Sequence, residues 1–165
     1  MVGPADLLSA AWLLAGFDTA AEAYFRRAIS TAYYAVFHHV LGAGAARFLS
    51  DGKTGSSAYS AIYRGFSHGR MKTVCEALNV VTLGRSFARQ FRRTPVSPDM
   101  RAFAPAFLEL QEARHLADYD PQATFTAKDA ETFIGDAEGA ISAFDRAEAA
   151  ERDDVLALML TSARG

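Results

Sequence analysis

Two stretches far apart in the chain hold residue types that can act together: Arg26-Arg-Ala-Ile-Ser-Thr-Ala-Tyr-Tyr-Ala-Val-Phe-His-His-Val40 and Arg114-His-Leu-Ala-Asp-Tyr-Asp-Pro121. On a helix, Arg27, Thr31, Tyr34 and His38 fall on one row, four, three and four apart, beside an apolar face. Such a row can hold a phosphate with Arg, stack a base on Tyr and move a proton with His. A plainer account makes Tyr33, Tyr34 and Phe37 core or subunit-interface aromatics and leaves the histidines in water. In the second stretch Arg114 and Asp118 have the spacing of an intrahelical ion pair. A polar cluster at a helix end before Pro121 is also a common way to build a cleft.

Other chemistries are excluded by spacing. Gly52-Lys-Thr-Gly55 carries the Lys-Thr pair of a phosphate-binding loop but lacks the first glycine at the required distance. His38 and His39 are adjacent, so on a helix they diverge by about 100° and cannot clamp one metal from one face. No His-Glu-x-x-His pattern occurs, and no metal site or cofactor is expected. Cys75 lies near Val74 and Leu78, where a helix would bury it as an inert packing residue.

The elements that must position these residues read as helices almost throughout, with no convincing alternation of period two. Residues 5–15 form a first helix, with Pro4 suited to its first turn and Gly16 to its end. Thr19 and Glu22 make a capping box for a long helix running to about Leu41. Its core row is Phe25, Ile29, Ala32, Val36 and Val40, widened by Tyr33 or Tyr34, Phe37 and Leu41. The four glycines within residues 42–55 predict a loop around a short helical piece. A third helical region spans residues 56–79, with a break near Phe66-Ser-His-Gly69. An arginine-rich connection follows, holding a short helix at residues 84–92.

Ser97-Pro98 reads as an N-cap with proline at the first helical position, opening a helix to Tyr119 with a bend at Pro105. Pro121 prevents its continuation. Thr126 caps a last helix with the face Ala130, Ile134, Ala137, Ile141 and Phe144, which residues 145–165 are expected to extend. The apolar residues 155–160 are expected to dock on the bundle or on a second subunit. These elements predict an all-α fold, an antiparallel up-and-down bundle of four to five main helices in one domain over residues 1–165.

Composition agrees with a single ordinary core, since half of the 165 residues are apolar. No apolar run reaches the roughly 20 residues needed to span a bilayer. The single cysteine gives no sign of an oxidising compartment, so a cytoplasmic protein without membrane attachment is expected. The net charge of -2 hides a polarity. Residues 26–101 hold twelve Lys or Arg against three acids, whereas residues 102–165 hold five against thirteen. Arg85, Arg89, Arg92, Arg93 and Arg101 are the densest basic stretch. Either that stretch meets a nucleic acid or acidic partner, or basic and acidic helices pack side by side and neutralise one another.

The run from Arg27 to His38, followed far downstream by Arg114-His-Leu-Ala-Asp-Tyr119, resembles the HEPN domains, and the likeness extends over about residues 20–144. The resemblance implies a four- or five-helix bundle that forms a homodimer, with the Arg motifs of both subunits meeting in a basic cleft. Many such domains are metal-independent ribonucleases, often toxins of toxin-antitoxin pairs. Others bind RNA or nucleotides beside a small nucleotidyltransferase. Their catalytic motif is an Arg, a polar neighbour and a His after a gap of four to six residues. Arg114 and His115 match its start, but at the gap positions stand Tyr119, Asp120 and Pro121.

The expectation is therefore a binding module for RNA, a nucleotide or a protein partner such as a nucleotidyltransferase or an antitoxin. Its alternative is a ribonuclease using Arg114, His115 and Tyr119. Arg27, Tyr34, His38 and Asp118 are the expected ligand-binding residues.

Overall fold

The computed structural model describes residues 2–17, 21–49, 55–80, 82–91 and 95–161. Among the described residues there are eight helices and no strand, so the fold is all-α. The helices are α1 (Pro4–Ala15), α2 (Glu22–Phe48), α3 (Ser57–Gly65), α4 (His68–Leu78), α5 (Arg85–Phe91), α6 (Pro98–Tyr119), α7 (Ala127–Arg146) and α8 (Ala149–Leu160). None of them is long and apolar enough to cross a membrane.

Most helix starts follow from local chemistry. A helix leaves its first N–H groups without partners, and a side-chain oxygen just before it can accept from one of them. Ser56 accepts from the Tyr59 N–H at 3.1 Å and Ser67 from the Arg70 N–H at 3.2 Å. Ser67 thereby opens α4 just after Phe66, which is where the third helical region was expected to break. Thr126 and Asp129 exchange bonds at the start of α7: Asp129 N–H donates to Thr126 Oγ1 at 3.2 Å, and the Thr126 N–H and hydroxyl donate to Asp129 Oδ2. Those two donors hold the Asp129 carboxyl below its ordinary value. The Thr19–Glu22 capping box involves Thr19, which lies outside the described residues.

The glycines after Leu41 were misread. The second helix does not stop there but continues to Phe48, so Gly42 and Gly44 lie inside it. A Cβ on Gly44 would come within 2.8 Å of Phe66 Cε2 and 3.4 Å of Leu156 Cδ2. Glycine stands at position 44 to admit a buried ring, not to turn the chain. Gly65 is similar, since a Cβ there would lie 2.7 Å from Leu160 Cδ1. The C-terminal expectation also changes. Instead of one extended helix, α7 ends at Arg146 and a separate α8 begins at Ala149.

The chain divides into two compact units, Met1–His39 with Ala106–Ser142 and Val40–Pro105 with Ala143–Gly165. In the first, Ala28, Ile29, Ala32, Tyr33, Val36 and Phe37 of α2 are buried, as are Phe107, Leu110, Ala113 and Ala117 of α6 and Ala130, Ile134, Ala137 and Ala140 of α7. The Tyr33 and Phe107 rings meet with centroids 5.7 Å apart. The expected core row of α2 is thus buried, save that Phe25 is only half-buried. Trp12 Nε1–H donates to Glu138 Oε1 at 2.8 Å and ties α1 to α7.

In the second unit α8 packs on α4 and α5. Its Val155, Leu156, Leu158 and Met159 are buried, so this unit itself covers the late apolar patch. Such side chains contribute about 1.5–3 kcal/mol each when fully buried. Phe103 and Phe144 meet at 5.1 Å, and Arg70 Nε–H donates to the Leu158 carbonyl at 2.8 Å.

Ser97, the N-cap of α6, accepts the Met100 N–H at 3.2 Å. A capping box would complete this with a Glu at the Met100 position. Here Glu151 of α8 supplies the carboxylate, and its Oε1 accepts the Ser97 N–H at 3.0 Å while the residue is only 3% exposed.

Two glycine substitutions should therefore have opposite signs. Gly139→Ala, on exposed α7 with nothing near its would-be Cβ, should raise stability by about 0.5–1 kcal/mol. Gly44→Ala should lower it by about 1–3 kcal/mol, because overpacking against Phe66 outweighs the same propensity gain. Urea unfolding of both variants beside the native chain checks this.

Candidate functional site

The doublet Arg26-Arg27 divides its labour. Neighbours on a helix point about 100° apart, and Arg26 is the one turned toward the carboxyl end of α6. Its Nη1 donates to the carbonyls of Asp120 at 2.9 Å and Ala117 at 3.0 Å, with a longer contact to Leu116 at 3.4 Å. Its Nη2 donates to the Ala123 carbonyl, and its Nε to Glu22 at 2.9 Å. The guanidinium also lies 5.5 Å from the centre of the Phe125 ring. The last carbonyls of a helix have no partners within it and carry its negative end, so a planar cation suits this place.

With α6 anchored there, its side chains meet those of α2 in reverse order: Asp118 faces Arg27 and Ser30, Arg114 faces Tyr34, and Phe107 faces Tyr33. The two helices run antiparallel.

Arg114 is at the centre of what results. Its Nη2 donates to Tyr34 Oη at 2.8 Å. Its guanidinium carbon is 5.4 Å from the centre of the Tyr34 ring and 5.3 Å from that of Tyr119. Its Nε is 2.9 Å from Asp118 Oδ2 but makes no aligned hydrogen bond, so this contact is one of charge with charge. Burial works against the Arg114 charge, but Tyr34, Asp118 and Tyr119 outweigh it and hold the group above its ordinary value. The cation is permanent and fixed by contacts on three sides. Its Nη1 makes no hydrogen bond to the described residues.

Asp118 binds more than Arg114. Its Oδ2 also accepts from the buried Ser30 hydroxyl at 3.3 Å, and its Oδ1 lies 3.5 Å from Arg27 Nη1. The Arg27 side chain is 70% exposed and that of Asp118 13%, so one guanidinium faces water and the carboxylate does not. Thr31 drops out as a ligand, because its hydroxyl donates to the Arg27 carbonyl at 2.6 Å.

The histidines stand at the two margins. His38 stacks on Tyr34, with centroids 5.9 Å apart and planes 25° from parallel, and partial burial lowers its pKa. It is therefore neutral at pH 7. His115 is exposed and tilts against Tyr119 at 5.2 Å, the same ring that Arg114 lies against.

All seven expected site residues thus join one continuous set: His38, Tyr34, Arg114, Asp118 and Arg27 in sequence, with Tyr119 and His115 on the other side of Arg114. Two contributors were not foreseen, Arg26 and Ser30. Ser30 is a buried serine between the buried apolar residues Ala28, Ile29 and Ala32, which is a signal for an internal partner.

The rest of the basic segment lies elsewhere. Arg85 and Arg89 are exposed on α5 and Arg101 is exposed on α6, all in the second unit, while Arg92 and Arg93 fall outside the described residues. Burial pushes the Cys75 thiol far up, which leaves it inert as expected. No group of three or more metal-ligating side chains occurs among the described residues. The chain matches no protein-family model, no curated protein and no solved structure.

The doublet gives a direct test of this division. Arg26→Met should cost about 2–3 kcal/mol and speed amide exchange over residues 116–125, because charged hydrogen bonds to several part-buried carbonyls are lost. Arg27→Met should change stability by no more than about 0.5 kcal/mol.

A pH dependence also follows. The folded state resists protonation of His38, so stability should fall as pH drops below the ordinary imidazole value of about 6.5, then level off once the folded group is protonated too. Urea midpoints at about pH 7.5 and 5.5 should differ less in His38→Gln than in the native chain.

Proposed function

We propose that this protein is a HEPN-like helical-bundle module that binds the phosphate of an RNA or a nucleotide through Arg114 and Arg27 and does not cleave it. The observation that carries the reading is the preorganised Arg114. Its guanidinium lies against the rings of Tyr34 and Tyr119, and a second, exposed guanidinium shares its carboxylate partner. An arginine whose rotamer is already fixed loses little freedom on gripping an anion. The exposed Tyr119, 63% accessible, adds a surface on which a base can stack.

Cleavage without a metal needs a proton donor and acceptor placed against the same phosphate as the arginine. Where the resemblance places the terminal histidine of the ribonuclease motif, this chain has Tyr119, and its nearest histidine in sequence, His115, stands next to Arg114 and not at the motif's terminal position. These departures support binding over catalysis. The HEPN resemblance also leads us to propose the homodimer, with a nucleotidyltransferase or an antitoxin as its protein partner.

The test is anisotropy of a labelled single-stranded RNA with excess chelator. Arg114→Ala should weaken binding at least about tenfold, since a charged contact to phosphate is lost, and the RNA should stay intact. Cleavage by the native chain that Arg114→Ala abolishes would make it a ribonuclease instead. Equal binding by both proteins would remove Arg114 from the site.

A further inference from the structure

Within the proposed site one group has the wrong sign for a phosphate. Asp118 is only 13% exposed at its side chain, yet each of its two oxygens lies against a different arginine: Oδ2 is 2.9 Å from Arg114 Nε and Oδ1 is 3.5 Å from Arg27 Nη1. The Ser30 hydroxyl supports Oδ2 at 3.3 Å. Two guanidiniums and a hydroxyl gathered on one pair of oxygens make an oxyanion-binding arrangement, and here a side chain of the chain itself fills it. We propose that Asp118 is a built-in counter-anion that occupies the phosphate position between Arg27 and Arg114 and sets the affinity of the site by competing with the ligand.

The two halves of the bridge differ. The Arg114 half is short, shielded and made within one helix, whereas the Arg27 half is long and belongs to a side chain 70% exposed. The Arg27 half opens first. An arriving phosphate takes the exposed guanidinium of Arg27 and then shares Arg114, while the carboxylate stays on Nε. The carboxylate remains within a few ångströms of the bound anion, so its charge opposes every bound state. In this role Asp118 acts on the ligand through its charge and not as a donor, since a carboxylate can only accept and cannot donate to a phosphate.

The inference rests on the phosphate-binding reading, and the experiment separates the two. Anisotropy of a short labelled single-stranded RNA is measured at about 50 mM salt, where charge effects are least screened, with inorganic phosphate as a competing ligand. The proteins are the native chain, Asp118→Asn, Asp118→Ser and Asp118→Glu, each checked by its melting curve. Asp118→Asn keeps an oxygen for Ser30 and removes the charge, so it should bind RNA about tenfold more tightly. Inorganic phosphate should displace RNA from it at correspondingly lower concentration.

Asp118→Ser should show the same gain and serves as the neutral variant if Asn disturbs folding. Asp118→Glu, still charged, should show none. Unchanged or weaker binding by both neutral variants, with the native chain binding, would overturn the counter-anion while leaving the binding site in place. A gain in all three variants would overturn it too, because the effect would then be steric. No binding by any of the four proteins would overturn both readings.

Discussion

A helix of 22 residues ends with carbonyls that no later turn can satisfy, and the end of α6 meets that need with one side chain from α2. Arg26 reaches the carbonyls of Ala117, Asp120 and Ala123 and keeps Glu22 at its own Nε. A guanidinium is suited to this because its five donors lie in one plane and its charge cannot be lost. The consequence is register. Once the end of α6 is fixed against the first turns of α2, Asp118 must lie beside Arg27 and Ser30, and Arg114 beside Tyr34. The same side chain settles the chain beyond the helix, where the Phe125 ring lies against Arg26 and Thr126 at once begins α7.

Charge balance in this protein is a matter of pairing within units. The sequence segregates bases before residue 101 from acids after it, yet folding brings members of the two segments together. Arg27 meets Asp118 in one unit, and Arg47 meets Asp153 at 2.6 Å in the other. The Arg47 hydrogen bond holds the Asp153 carboxyl below its usual range. Exposed pairs of this kind contribute little to stability. They do set opposite charges side by side, while Arg85 and Arg89 stay exposed on α5 and Arg101 on α6.

What the sequence made legible was what local chemistry decides. Pro4, Ser97-Pro98 and Thr126 mark helix starts because a cap needs only residues within one turn, and α1, α6 and α7 begin where those residues stand. The long rows of α2 placed Tyr34 and His38 correctly beside the core for the same reason. Gly44 was opaque because glycine serves two opposite ends, freeing a loop or admitting a neighbour, and the ring of Phe66 that decides between them is far along the chain. Arg26 and Arg27 were indistinguishable for a similar cause: the carbonyls that claim Arg26 lie some ninety residues away. The gap between α7 and α8 carries no proline or glycine, so its polar residues read as helix. Ser30 and Glu151 acquire meaning only from Asp118 and Ser97, partners that no local pattern announces.

Each of the two units is assembled from pieces that are not adjacent in the chain. During synthesis the ribosome delivers the early piece of one unit, then most of the other, and only later the remainder of each. α2 therefore emerges with Arg26, Ser30 and Arg27 still lacking the helix that answers them, and the second unit waits for α8, the last helix described. Domains commonly fold as they are made, the earliest first. Neither unit can close until its second piece has been made, so the apolar face of α2 stays uncovered while the helices between it and α6 are synthesised.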